Sequence, residues 1–176
     1  MVSGRGSPAT VLTEAEVKTL IEEGTPAKLY EGKKVLVLTP DTTRTCPLPM
    51  MVRAVRKIIG TRCAALDFMV ALGTHPPMTE SDILSFYGIS EDQRQTGFGN
   101  SRFFNHRWDL PETFKRIGYL EEDVVDNISG GRLQEKVAID INRKIFEYDL
   151  VLILGPVFPH EVVGFSGGAK YLFPGI

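Results

Sequence analysis

Three short segments of the chain carry side chains able to do chemistry. The first, Pro40-Asp41-Thr42-Thr43-Arg44, sets a guanidinium three residues after a carboxylate. Arg44 can clamp a carboxylate in bidentate fashion, and Asp41 can orient a neighbouring group. An Asx-turn at Asp41 with a surface arginine fits the same residues, and on these residues alone the two readings stand level. The second, Gly73-Thr74-His75-Pro76-Pro77-Met78, presents an imidazole, which titrates near neutral pH and suits acid–base work. A histidine bonded within its own loop is the commoner arrangement for such a residue in isolation. The third runs from Gly155 to Lys170 and holds His160, then Ser166-Gly167-Gly168-Ala169-Lys170. Glycines let a backbone approach an anion closely and aim successive N–H groups at it, and Lys170 would hold an amine beside that site. Taken alone, a surface turn with a solvated lysine is the commoner case.

The elements that must position these segments are three apolar runs. Lys34–Leu38, Ala64–Leu72 and Asp149–Leu154 each read as a buried strand, and each is followed directly by one of the three segments. Pro47 and Pro49 open a helix that ends at Gly60. Thr79-Glu80-Ser81-Asp82 opens another that ends near Gly88, Thr13-Glu14-Ala15-Glu16 caps a helix over 14–23, and Ser90-Glu91-Asp92-Gln93 suggests a further cap. Strands alternating with helices predict an α/β fold, a Rossmann-like open, mostly parallel sheet with helices on both faces. In such a sheet the carboxyl ends of the strands share one edge, so Asp41, His75 and His160 are expected to converge there.

Between the second and third segments the pattern weakens. Residues 97–120 are aromatic, with Phe98, Phe103, Phe104 and Trp108 around Asn105 and His106. His106 reads as a locally bonded residue, because no second ligand stands at metal-binding spacing. Phe114–Tyr119 and Leu133–Ile139 read as strands of the same sheet or as a hairpin, with a turn at Gly130-Gly131; Asn142–Tyr148 is at most a short helix.

Composition narrows the classes. A chain of 176 residues with 43% hydrophobic and 24% charged residues suggests one globular domain. A net charge of −2 gives no reason to expect nucleic acid or an anionic membrane as partner. Two cysteines, Cys46 and Cys63, without a secretory leader suggest a reducing, cytoplasmic setting. Residues 1–12 read as a flexible leader and 13–176 as the domain. The first apolar strand is not followed by Gly-x-Gly-x-x-Gly, which argues against an ordinary dinucleotide-binding oxidoreductase.

Together the motifs Asp-x-Thr-Arg, Gly-Thr-His-x-Pro-Met-Thr, Pro-His-x-x-x-Gly-Phe-Ser-Gly-Gly-Ala-Lys and Pro-Gly-Ile resemble the amino-terminal domain of the nickel-dependent lactate racemase family. The resemblance covers residues 31–176. It implies a 2-hydroxy-acid racemase or epimerase that works by proton-coupled hydride transfer. The implied cofactor is a nickel-pincer nucleotide, pyridinium-3,5-bisthiocarboxylic acid mononucleotide with nickel. By resemblance, Lys170 matches the lysine that holds this cofactor covalently, and His75 and His160 match the two proton-transferring histidines. Arg44 would hold the substrate carboxylate. Asp41, Thr43, Ser166, Gly167 and Gly168 would lie at the cofactor, with its phosphate on Ser166-Gly167-Gly168 or near Thr42-Thr43, and Asp41 would also orient His75. The nickel-binding histidine of the family lies beyond Pro-Gly-Ile, so no metal ligand is assigned here.

Departures from the family pattern leave the hydroxy acid unassigned. Arg44 is followed by Thr45-Cys46-Pro47 where the family usually has proline directly, and Pro76 stands where arginine is common. The expected partners are a small 2-hydroxy acid, a carboxyl-terminal domain absent from this chain, and a second copy of the chain in a homo-oligomer. The chain by itself is expected to be inactive. The rival reading is a non-catalytic domain that binds a nucleotide or a hydroxy acid, but such a domain needs neither two bases nor a nucleophile.

Overall fold

Lys34–Thr39 (β1) is apolar at consecutive positions because both of its faces are covered. It lies at the centre of a sheet in which Ala65–Val70 (β2) pairs with it in parallel, Thr39 opposite Val70. Leu150–Ile153 (β6) pairs in parallel on its other side, Leu38 opposite Ile153. Phe103–Asn105 (β3) adds to β2 with Val70 opposite Asn105, giving a four-stranded sheet of order β3-β2-β1-β6. These relations come from a computed structural model that describes residues 3–161 and 164–176.

Successive side chains of a strand point to opposite faces, and here each face has its own core. Val35, Val37, Leu66, Phe68 and Val70 meet the helix Leu48–Ile59 (α2) through Leu48, Val52, Val55 and Ile59, a stripe at helical spacing. Ile83 of the helix Glu80–Phe86 (α3), and Tyr87 beyond it, extend this core. The Tyr87 hydroxyl is wholly buried and lies 2.7 Å from Thr39 Oγ1, so the last residue of β1 is fixed just before the Asp41 segment begins. The helix Glu14–Gly24 (α1) packs against α2, and Glu91–Thr96 (α4) follows α3; α1, α3 and α4 all begin in capping boxes. On the opposite face Leu36, Leu38 and Met69 pack with Ile141, Tyr171 and Ile176. That face is closed by 3₁₀ turns over Arg143–Glu147 and Gly168–Tyr171. Helical segments thus flank the sheet on both sides, α-helical on one and 3₁₀ on the other. Among the described residues, no helix is long and apolar enough to cross a membrane.

The ambiguous central region resolves as a hairpin. Phe114–Leu120 (β4) and Val137–Asn142 (β5) form their own antiparallel pair, separate from the parallel sheet, and Glu122–Ser129 (α5) fills the connection before Gly130-Gly131. A second pair, Phe158–His160 (β7) with Gly164–Ser166 (β8), comes after β6 and had no signal in the sequence.

One buried charge braces the sheet. Asp67, 1% exposed, accepts from Arg102 N at 2.7 Å, from Arg102 Nε and Nη2 at 3.0 and 2.7 Å, and from the Tyr148 hydroxyl at 2.6 Å. Burial pushes the Tyr148 hydroxyl above its usual range, and the Asp67 carboxylate adds to the effect, so it stays a donor. A buried carboxylate is tolerated only with such partners. Tyr148→Phe is expected to cost about 1.5–3 kcal/mol of stability, the worth of one hydrogen bond to a charged group. Urea unfolding measures it, and an unchanged midpoint would show that Arg102 alone satisfies Asp67.

Candidate functional site

Because β1, β2 and β6 run in parallel and in close register, the segments after them open on one edge of the sheet. They line a single cleft of about 200 Å³. Asp41, Thr43, Arg44, His75, His160, Ser166, Gly167 and Lys170 all border it, while Gly168 does not.

One contact in the cleft joins two of these segments. Asp41 is 6% exposed, and its Oδ2 meets His75 Nδ1 in a short hydrogen bond. Its Oδ1 accepts from Thr43 N at 3.0 Å and from Thr43 Oγ1 at 2.6 Å. The Asx-turn and the orienting carboxylate are therefore both present, one on each oxygen. Burial pushes the Asp41 carboxyl up, but the hydrogen bonds from Thr43 and His75 outweigh it and hold the group below the usual range. An ionised carboxylate only accepts, so His75 carries its proton on Nδ1 and its Nε2 is the nitrogen able to take another. Arg44 Nη1 donates to Thr43 Oγ1 at 3.2 Å, extending the chain of contacts to Arg44-Thr43-Asp41-His75.

The third segment closes the other side. His160 ends β7, and its Nδ1 lies 3.8 Å from the exposed Glu161 carboxylate. That carboxyl is held low by a bond to its own backbone and then by the charges of His160, Lys170 and Arg44. Ser166 is buried, and its Oγ donates to Phe158 O at 3.4 Å across the hairpin. Gly167 has φ +84, and a Cβ there would overlap the Pro156 carbonyl oxygen, so only glycine lets the chain turn into the 3₁₀ segment that carries Lys170.

The sequence assigned no structural role to three features of this edge. Tyr171 borders the cleft, with burial pushing its hydroxyl above the usual range. The Pro-Gly-Ile motif is a strap: Gly175 N donates to Lys170 O at 3.0 Å, and Gly73 N donates to Gly175 O at 3.0 Å. A side chain on Gly175 would overlap the Tyr171 carbonyl, which explains the residue type. Asn105 and Trp108 both bond to the backbone around His75. The sequence carried only one pointer to them, a tryptophan among polar residues. His106 is 2% exposed, lies away from the cleft lining and bonds Asn142 Nδ2 at 3.1 Å.

The Asp41 contacts predict an acid limb in stability. The folded carboxyl titrates below its ordinary value of 3.8. Its contribution is therefore complete above about pH 5, shrinks as pH falls through the ordinary carboxylate range, and is gone below the depressed folded value. Asp41→Asn should be less stable near neutral pH and should lose less on acidification. Unfolding midpoints at several acid pH values measure this; parallel slopes for the two proteins would mean that the carboxyl is not held low.

The chain matches the model for the lactate racemase N-terminal domain over residues 7–176. A lactate racemase of Thermoanaerobacterium thermosaccharolyticum is 33% identical over 153 residues, covering 84% of this chain and 31% of that protein. A lactate racemase of Lactiplantibacillus plantarum is 25% identical over 154 residues, covering 85% and 31%. The chain thus spans about a third of the length of the curated relatives it matches. A crystal structure of a Thermotoga maritima protein from a structural genomics programme superposes with a TM-score of 0.80 at 30% identity, covering 94% of this chain and 38% of that one. With the family model matching nearly the whole chain, this protein belongs to the lactate racemase amino-terminal domain family.

Proposed function

We propose that the chain is the first domain of a nickel-pincer-dependent racemase or epimerase of small 2-hydroxy acids. The observation that carries this reading is the meeting of two imidazoles, an amine and a guanidinium around one cleft, with one imidazole tautomer already set by Asp41. Inverting a carbinol carbon through a flat keto acid requires the hydroxyl proton to leave and return on either side. His75, through Nε2, takes and returns it for one enantiomer, and His160 does so for the other. Arg44 holds the carboxylate of the acid as a bidentate partner.

The residues present suit the organic part of the cofactor. Lys170 offers an amine for covalent attachment, and a lysine amine is a nucleophile once deprotonated. Gly167 brings backbone without a side chain to the cleft wall, and the cationic side chains favour an anionic nucleotide. When bound, the pincer supplies the hydride acceptor. Among the described residues, no three His, Cys, Asp or Glu side chains come together to hold a metal ion, and no metal ligand is proposed here. The cleft is smaller than the ~300–1,000 Å³ of pockets that bury a ligand, which favours a further domain as its opposite wall.

In the whole protein, His75→Ala or His160→Ala should lower racemisation of 2-hydroxy acids by ~10²–10⁴, the usual worth of a positioned acid–base group, with substrate binding retained. Wild-type turnover would remove that histidine from the mechanism. Intact mass after co-expression with the pincer-synthesis enzymes should show an adduct that Lys170→Ala lacks. An adduct without racemisation of any tested acid would favour the binding-domain reading instead.

A further inference from the structure

His75 is held by more than Asp41. Asn105, the last residue of β3, turns its carboxamide onto the backbone of Met78. Its Oδ1 accepts from Met78 N at 3.1 Å, and its Nδ2 donates to Met78 O at 2.7 Å. Trp108, on the connection after β3, donates from Nε1 to the carbonyl oxygen of His75 at 2.9 Å. The segment between the two anchor points is His75-Pro76-Pro77-Met78, in which two prolines fix φ. A stiff tetrapeptide is thus pinned at both ends by side chains from the end of β3 and the connection after it.

That connection is itself fastened to the sheet. Asn105 pairs with Val70 at the end of β2, and His106 N donates to Val70 O at 3.0 Å. The buried ring of His106 bonds Asn142 at 3.1 Å, and Asn142 N donates to Ile176 O at 3.2 Å. The two kinds of restraint on His75 are complementary. Asp41 sets the tautomer and direction of the ring, and the Asn105–Trp108 pair sets the backbone from which the ring hangs.

We propose that Asn105 and Trp108 are positioning residues that clamp the His75–Met78 segment so that His75 Nε2 stays aimed into the cleft. This rests on the reading of His75 as a proton-transferring base. Small misplacements of a catalytic group cost rate more than binding. In the whole protein, Trp108→Phe, which keeps an aromatic ring and removes the N–H donor, should lower kcat roughly tenfold and leave KM within about twofold. Asn105→Ala should act in the same direction. Asn105→Asp, which keeps an acceptor for Met78 N–H but sets a carboxylate oxygen against Met78 O in place of the Nδ2 donor, should not recover the loss.

The test reads the His75 ring directly, by NMR of protein labelled with ¹⁵N-histidine, alongside turnover. In the wild type the His75 ring nitrogens should report one fixed Nδ1–H tautomer with sharp signals; in folded Trp108→Phe and Asn105→Ala those signals should shift and broaden as the ring loses its fixed position, while Asp41 keeps the tautomer. Introduced into His75→Ala, neither substitution should deepen the loss of turnover, because both act through that ring. Unmoved His75 signals overturn the proposal whatever the turnover. So do moved signals with unaltered turnover, and so does a full additional loss in the His75→Ala background. Wild-type turnover in His75→Ala alone would overturn the base assignment, and with it the purpose of the clamp, while moved ring signals would still report the hydrogen bonds.

Discussion

Strands that run the same way must end on the same side, and this protein's site results from that constraint. β1, β2 and β6 are parallel neighbours, so the loops at their carboxyl ends all leave from one edge. Residues as far apart in sequence as Asp41 and Lys170 meet there without any local sequence relation. The cores below differ in kind but serve the same end. One face is locked by α2 and α3, the other by 3₁₀ turns and the returning Gly175–Ile176 strap. The strap joins the loop after β2 to the Lys170 segment, since Gly175 bonds both the Lys170 carbonyl and the Gly73 amide.

On that edge the contact between Asp41 and His75 is the one with the highest stake. A carboxylate so little exposed is costly unless each oxygen is used, and here both are. The same bonds that satisfy the charge also join the loop after β1 to the loop after β2. Local turn chemistry and long-range site geometry are therefore not competing readings of Asp41. They are the two oxygens of one group, and losing either partner would leave the other loop less well fixed.

How much was legible in the sequence depended on how local the physics was. β1, β2 and β6 are written as apolar runs because they are central or covered on both faces. α1, α3 and α4 announced themselves through Thr13, Thr79 and Ser90, whose side chains bond the first turns. β3 did not, because three residues, Phe103-Phe104-Asn105, are too few to show a period. β7 and β8 are equally short, and Pro159 and Gly164 within them read as turn residues. The shared edge of Asp41, His75 and His160 could be inferred from strand order. The hydrogen bonds of Asn105 and Trp108 could not, because they exist only once β3 is placed beside β2.

The two histidines stand on different elements, and thermodynamics limits what any difference between them can mean for the proposed reaction. His75 has a buried carboxylate on Nδ1 and a pinned backbone. His160 ends a short hairpin, and its Nδ1 lies 3.8 Å from the carboxylate of Glu161, which is exposed to solvent. Two enantiomers of a free acid have the same free energy, so the equilibrium mixture is even whatever the bases are like. The ratio kcat/KM must then be the same from either side. A difference between the two bases can only leave that ratio unchanged, giving one enantiomer a higher kcat and a proportionally higher KM than the other. Any such difference would thus set which bound acid accumulates on the enzyme, while the direction of net conversion is set by the concentrations of the two enantiomers alone.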